Sequence, residues 1–143
     1  MIEIKGLKYP LDRKYYTKDG AHLWLKIKGD IINIGMDAFS AEFIGDISYI
    51  VVDKKRVNNG EEVGSFESIK YISKLYSPVS GEIVDINDNV IKDPSNINNA
   101  PYESWIFKIK PDEKETESKY IIEDKAKILS WITEELKNLE KKL

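Results

Sequence analysis

Residues 60–83 read GEEVGSFESIKYISKLYSPVSGEI, and this stretch decides the predicted fold. One apolar run leads up to Lys70 and a second run leaves it, which predicts two strands joined by a tight hairpin. The residues predicted to fix the turn between buried strands are Val63, Phe66, Ile69, Ile72 and Leu75. Because Lys70 falls at the tip of this hairpin, its amine is better placed for covalent modification than for acid–base chemistry.

The rest of residues 23–110 predicts further short strands. Three segments begin with a glycine that is followed by an acidic residue and isoleucine, at Gly29, Gly45 and Gly81. In each, the glycine can supply a turn conformation closed to other residues, and an alternating strand follows. Short strands joined by frequent turn signals are typical of a barrel or a sandwich. The chain is therefore predicted to be mainly β.

Helices are predicted in two places. Asp37 is suited to cap a short helix, since apolar residues recur at helical spacing from residue 36 to 44. Residues 120–143 predict a C-terminal amphipathic helix packed on the same domain, with dimerisation through its last turns left open. Its apolar positions are Ile122, Ala126, Leu129, Ile132, Leu136, Leu139 and Leu143. Residues 111–119 read as a polar linker, and Lys92–Asn99 as an ordered surface loop.

Composition excludes several classes of function. The 143 residues are enough for one domain with a core, and the formal net charge of −3 argues against nucleic acid or an anionic membrane as a partner. No stretch approaches the length of a membrane span and no signal peptide is visible, so we expect a cytoplasmic protein. Cysteine is absent, and the single histidine, His22, leaves little for a metal site or a catalytic triad. We predict that His22 forms structural hydrogen bonds.

The lysine motif and its surroundings resemble the H protein of the glycine cleavage system, over about residues 17–111. Glu67, Ser68 and Ile69 precede Lys70 as in the family's attachment hairpin. Further matches are Gly60–Gly64, Tyr76–Glu82, Gly45–Ile47, Pro101, Tyr102, Trp105 and Lys108–Pro111. The resemblance implies a lipoyl/biotinyl-type barrel-sandwich hybrid, the hammerhead fold, over residues 1–110 with an N-terminal extension.

The same resemblance implies a function without catalysis. Lipoic acid would be joined to Lys70 through an amide by a lipoate ligase or a lipoyl transferase. The chain would then be a swinging-arm carrier and not an enzyme. Its partners would be glycine decarboxylase, aminomethyltransferase and dihydrolipoyl dehydrogenase.

Three positions depart from the family pattern near the expected arm. Leu23 replaces the glutamate of the family's His-Glu-Trp motif, Phe43 stands where many members have histidine, and Lys74 stands where aspartate is usual. An aminomethyl cation prefers carboxylates, so these changes favour an anionic cargo. A second hypothesis is therefore an H-like carrier of sulfur intermediates for a heterodisulfide-reductase-like sulfur oxidation complex. A third is an unmodified β interaction module.

Overall fold

A computed structural model describes residues 1–112 and 118–142, and this part of the chain contains twelve strands, four α-helices and one 3₁₀ turn at Lys18–Gly20. The strands are β1 Ile2–Ile4, β2 Leu7–Tyr9, β3 Lys14–Tyr16, β4 Leu23–Lys28, β5 Ile31–Met36, β6 Ile47–Val52, β7 Arg56–Val57, β8 Glu62–Ser68, β9 Ile72–Tyr76, β10 Gly81–Ile86, β11 Phe107–Pro111 and β12 Ile121–Ile122. The helices are α1 Ala38–Phe43, α2 Asp88–Lys92, α3 Ser95–Asn99 and α4 Lys125–Lys141. The mainly β architecture predicted from the sequence is confirmed.

The strands pair in antiparallel fashion. The largest sheet has seven strands in the order β12-β3-β4-β5-β11-β10-β7, and a second has three in the order β6-β8-β9. One apolar core draws buried residues from both of these sheets, among them Leu25 and Phe107 from the first and Ile50, Val63 and Leu75 from the second. The three-stranded sheet, which carries Lys70, is therefore held on the larger one by side-chain burial.

A second core lies on the other face of β4. Side chains alternate between the two faces of a strand, so Leu23 and Leu25 enter the first core while Trp24 enters the second. There Trp24 packs with residues of the β1–β2 hairpin and with Ile128, Ile132 and Leu136 of α4. Gly35 lies opposite Trp24, and a Cβ at Gly35 would come within 2.4 Å of the indole ring. The expectation that Trp24 is a core residue is correct.

The three glycine segments differ in why they need glycine. Gly29 and Gly45 have φ angles of +64° and +84°, in the left-handed region that suits glycine, and β5 and β6 follow them. Gly81 has no positive φ and lies within β10. A Cβ there would meet the backbone oxygen of Lys110 at 2.2 Å, so Gly81 permits close strand pairing. The predicted turn role is thus confirmed for two of the three.

The prediction of a surface loop over Lys92–Asn99 is wrong, because this stretch lies in α2 and α3. No side chain among the described residues caps α3, but its residue Ile97 is fully buried in the first core and holds the helix on the domain. α2 is capped from outside the stretch, where the side chain of Asn87 accepts a hydrogen bond from the backbone N–H of Asn89 at 3.2 Å. The predicted short helix after Asp37 is confirmed as α1, whose Ser40 N–H donates to the Asp37 carboxylate at 3.0 Å.

The C-terminal helix begins later than residue 120. Residues 121–122 form β12, which pairs with β3, and α4 starts after Asp124, whose carboxylate accepts from the Lys127 N–H at 3.1 Å. Ile128 is buried instead of the predicted Leu129, which is 47% exposed. Residues 113–117 of the predicted linker, and Leu143, lie outside the described residues. Within the described ranges, no helix is long and apolar enough to cross a membrane.

Candidate attachment site at the Lys70 hairpin

Lys70 lies at the exposed tip of the β8–β9 hairpin. Glu67 pairs with Ile72, and the Ser68 N–H donates to the Tyr71 carbonyl at 2.8 Å, which closes the turn around Ile69 and Lys70. Among residues 1–112 and 118–142, no carboxylate comes within 4.0 Å of the Lys70 ammonium nitrogen, so the side chain forms no ion pair there. The lysine therefore presents its amine to solvent.

Burial of apolar side chains does not fix this tip. Ile69 and Ile72 are 81% and 83% exposed, which contradicts the expectation that they lie between buried strands. Val63 and Leu75, nearer the base of the hairpin, are buried as predicted. The hairpin projects beyond the core, and its end needs another source of order.

The Ser68 hydroxyl supplies part of that order. Its Oγ donates to the carbonyl oxygen of Ile44 and accepts from the backbone N–H groups of Lys70 at 3.2 Å and Tyr71 at 3.1 Å. One side chain thereby connects the turn to a neighbouring segment and satisfies two of its backbone donors.

That neighbouring segment, Ile44–Asp46, supports the tip from behind. The Ile69 N–H donates to the Asp46 carbonyl at 3.1 Å. Gly45 lies so close that a Cβ there would meet Ile69 Cγ2 at 2.7 Å and Lys70 Cγ at 3.3 Å. The Gly45 position is therefore constrained both by its backbone conformation and by the hairpin that it supports.

Glu67 does not approach Lys70 as a catalytic partner. It lies exposed on the three-stranded sheet, in the row that contains Tyr49 of β6 and Ile72 of β9. Both of these neighbours have exposed side chains, at 51% and 83%. Glu67 belongs to a mixed polar and apolar surface beside the tip.

A groove of about 630 Å³ runs along β9, starting next to Lys70 at Tyr71. Its opposite wall comes from residues 16–23, with contributions from α1 and from the end of β5. The apolar residues that line it include Leu23, Met36, Ile44, Phe66 and Leu75. Sequence reasoning missed the groove, because its walls are distant along the chain.

Of the three positions that depart from the family pattern, two line the groove and one does not. Leu23 and Lys74 line it, whereas Phe43 packs against the second core. Asp19 supplies the one carboxylate among the described lining residues, from a 3₁₀ turn in which its φ is +52°. The ammonium nitrogen of Lys74 lies 3.7 Å from a carboxylate oxygen of Glu62, so the positive charge of Lys74 is partly balanced.

His22 is one of the residues that line the groove, and its side chain is buried at the junction of β4, α1 and α4. Its Nδ1 lies 3.0 Å from the Asp37 carboxylate, and its Nε2 lies 3.0 Å from that of Glu135. The rings of Phe39 and Trp131 stack on its two faces, at centroid distances of 4.2 and 4.6 Å. We call these five residues the histidine cluster.

The two carboxylates keep the imidazole of His22 charged. Burial by itself lowers the pKa of His22, but the charges and hydrogen bonds of Asp37 and Glu135 outweigh this effect and raise it to about 9. Asp37 also accepts a hydrogen bond from the Tyr9 hydroxyl at 2.9 Å. The predicted structural role of His22 is confirmed, with partners 15 and 113 residues away along the chain.

A mainly β scaffold with an exposed lysine on a braced hairpin, beside an apolar groove, is the arrangement expected of a lipoyl-type carrier domain. The family model described as "Glycine cleavage H-protein" matches residues 14–134. This chain belongs to the glycine cleavage H-protein family, and its function is that of a lipoyl carrier in glycine cleavage. The family is one of carriers rather than catalysts.

Individual proteins give the same result. The chain is 38% identical to the probable glycine cleavage system H protein 3 of Sulfurisphaera tokodaii, over 79% of this chain and 83% of that protein. It is 37% identical to the glycine cleavage system H protein of Paraburkholderia phytofirmans, over 82% and 94%. The crystal structure of the H protein from Mycobacterium marinum superposes with a TM-score of 0.64 and 33% identity, covering 72% of this chain and 86% of that one. The predicted lipoyl-type fold is thereby confirmed.

Proposed function

We propose that this chain carries lipoic acid on Lys70 and presents it in turn to glycine decarboxylase, aminomethyltransferase and dihydrolipoyl dehydrogenase. The observation that carries the proposal is the exposed Lys70 amine, which forms no ion pair within the described residues, on a tip whose backbone is fixed. The chain would act as a non-catalytic carrier in the cytoplasm. Bound lipoic acid would supply a cyclic disulfide that accepts the cargo as it is reduced, and dihydrolipoyl dehydrogenase would restore the disulfide from the dithiol left after release.

The residues around Lys70 fit this prosthetic group. An uncharged amide would replace the lysine cation without breaking an ion pair that the structure describes. The apolar lining of the adjacent groove suits a hydrocarbon chain and a disulfide ring, since neither needs hydrogen-bond partners. We assign Lys70 as the attachment residue, and Ser68 as the residue that holds its backbone.

Glu67 and Ile69 would serve the attachment enzyme, a lipoate ligase or a lipoyl transferase. Both side chains are exposed beside Lys70, and neither forms part of a core. An enzyme that engulfs the amine must also cover the residues flanking it. We therefore propose that the attachment enzyme contacts the side chains of these two residues directly.

The position of Asp19 supports an aminomethyl cargo. Leu23 deprives the groove wall of the carboxylate that the family's motif would provide, but Asp19 lines the same groove. Its charge raises the pKa of the buried Tyr16 hydroxyl in addition to the effect of burial, which indicates that the carboxylate lies near that wall. An ammonium group in the groove would find its counter-charge there.

A sulfur cargo is the second candidate, and Lys74 is the observation that favours it. Lys74 lines the groove together with the apolar Leu23, and its ammonium group, 3.7 Å from the Glu62 carboxylate, would offer a counter-charge to a persulfide or thiosulfate adduct. The partner would then be a sulfur oxidation complex of the heterodisulfide-reductase-like type.

Reconstitution distinguishes the two cargoes. Lipoylated protein is incubated separately with glycine decarboxylase and with a sulfur-transfer complex, and the adduct on the lipoyl group of Lys70 is identified by mass spectrometry. We expect aminomethyl loading whose rate depends on glycine. Persulfide or thiosulfate adducts alone would contradict the glycine assignment.

Asp19→Asn refines the same experiment. We expect spontaneous loss of the aminomethyl group to become roughly tenfold faster, because a charged hydrogen-bond partner is removed. Asp30→Asn, at an exposed acidic residue outside the groove, is the matched control. If both variants kept the aminomethyl group equally long, Asp19 would not be part of the cargo site.

A further inference from the structure

Asn98 ties α3 to the segment that supports the lysine tip. Its side-chain nitrogen donates to the carbonyl oxygens of Ala41 at 3.1 Å and Gly45 at 2.9 Å. Its side-chain oxygen accepts from the backbone N–H of Ile47 at 3.0 Å. A single amide thus makes three hydrogen bonds to residues 41–47.

The segment of residues 41–47 is not stabilised by its own hydrogen bonds alone. α1 has six residues, and a helix of that length gains too few internal hydrogen bonds to be stable alone. The chain then reverses at Gly45, with its φ of +84°. Asn98 bonds to the residue before Asp46 and to the residue after it, so the Asp46 peptide is clamped from both sides.

The clamped peptide is the one that holds the tip. The Asp46 carbonyl accepts from the Ile69 N–H, and the nearby Ile44 carbonyl accepts from the Ser68 hydroxyl. Ser68 in turn accepts from the Lys70 N–H. The direction of the Lys70 backbone therefore depends on carbonyl groups whose positions Asn98 fixes.

The helix α3, which carries Asn98, is itself anchored in the domain. The preceding residue, Ile97, is fully buried in the first core. The Ser104 hydroxyl also donates to the Asn96 carbonyl at 2.8 Å, which attaches α3 to the segment that leads into β11. The support of the hairpin is thus anchored in the core.

Taking Lys70 as the attachment site, as in the proposed function, we infer that Asn98 is a positioning residue for it. Asn98 does not touch the lysine. It sets the direction in which Lys70 leaves the hairpin, and so determines how well an attachment enzyme can align the amine with its activated acyl group.

The test compares Asn98→Ala with Asn99→Ala, a control at the exposed neighbouring position of α3. Amide hydrogen exchange is measured by NMR in the unmodified protein at Ile47, at Ile69 and, as an internal reference, at Leu25 of β4. Exchange in Asn98→Ala should accelerate about tenfold at Ile47 and Ile69 and stay unchanged at Leu25. Asn99→Ala should match the wild type at all three.

Modification kinetics supply a second readout. A lipoate ligase should act on Asn98→Ala with kcat/KM lower by about tenfold, whereas acetic anhydride should acylate Lys70 at the wild-type rate. The small reagent needs only an exposed amine, while the ligase needs an oriented one. Equal falls in both rates would overturn the inference, since they would indicate lost exposure and not lost orientation.

Unchanged exchange at Ile69 in folded Asn98→Ala would also overturn the inference, because the tip would then be independent of Asn98. If the alanine variant does not fold, Asn98→Asp replaces it, since aspartate keeps the acceptor for Ile47 and removes both donors. Failure of the ligase on wild-type protein would instead contradict the proposed function, and the exchange rates would still decide the role of Asn98.

Discussion

The hairpin tip at residues 68–71 and the histidine cluster beneath α4 are ordered in opposite ways. At the tip, backbone groups are bonded while the side chains of Ile69, Lys70 and Tyr71 remain exposed. In the cluster, the side chains themselves make the bonds, and the ring of His22 is enclosed by two carboxylates and two aromatic rings. The difference shows how a small domain can fix the position of a residue while leaving its side chain available to other proteins.

The first prediction concerns the tip and has the largest expected effect. Lys70→Arg should abolish lipoylation completely, because a guanidinium group cannot form the lipoyl amide. Its free energy of unfolding should stay within about 0.5 kcal/mol of the wild type, since the site is exposed. Ligase assays and urea unfolding measure the two quantities. Lys74→Arg is the control and should remain modifiable; lipoylation of Lys70→Arg would refute the assignment.

The second prediction concerns the histidine cluster, where a substitution should reduce stability and leave lipoylation intact. Asp37→Asn should lower the free energy of unfolding by about 3 kcal/mol, because it leaves the buried charge of His22 with one carboxylate. Lipoylation well below the unfolding midpoint should continue. Urea unfolding provides the measurement, with Asp53→Asn at an exposed position as the control. Equal stability of the two variants would mean that the buried pair is energetically unimportant.

The third prediction is a pH dependence that arises in the cluster. The folded-state pKa of His22, about 9, lies above its ordinary value of 6.5, so the folded chain binds this proton more tightly than the unfolded chain. The stabilisation is therefore fully present below about pH 6.5 and is lost as the pH rises through about 9. The free energy of unfolding should fall by about 3 kcal/mol over this range, because each unit of pKa shift corresponds to about 1.4 kcal/mol.

Urea unfolding of the wild type and of His22→Gln at several pH values isolates the histidine from other titrating groups. The variant should lack this part of the decline. The same decline in both proteins would assign the pH effect to residues other than His22.

The fourth and smallest effect returns to the tip. Gly45→Ala should destabilise the fold by about 1–2 kcal/mol, because alanine is strained at positive φ. It should also disturb Lys70, since the new methyl group would meet Ile69 at 2.7 Å. Gly29→Ala is a matched control, with φ of +64° and no heavy atom within 4 Å of the added Cβ. Hydrogen exchange at the Ile69 amide should therefore rise in Gly45→Ala only. Similar exchange rates in the two variants would show that Gly45 does not support the tip.

The same contrast explains what the sequence could predict. Alternation of apolar residues predicted the strands, and the motif ending at Lys70 predicted the hairpin, because both are local patterns. Ile69 and Ile72 follow that pattern yet are exposed, since the hairpin extends beyond the core. The motif predicts which residue is displayed, but not what holds it there.

Long-range contacts are the part that sequence reasoning missed. Asn98 lies 53 residues from Gly45, within a stretch that looked like a loop, and Glu135 lies 113 residues from His22. No spacing rule connects such pairs. The groove wall at Asp19 was missed for the same reason. The sequence held one signal for Asn98: it directly follows Ile97, the single isoleucine of an otherwise polar stretch, and such an isoleucine could have indicated an ordered segment.

Intact-mass analysis of the natively expressed protein, followed by peptide mapping, tests the central claim most directly. We expect a single lipoyl group, located on Lys70 and absent from every other lysine. A protein that stays unmodified both in its native cell and after treatment with an active lipoate ligase, or that carries the group on a different lysine, would contradict the account.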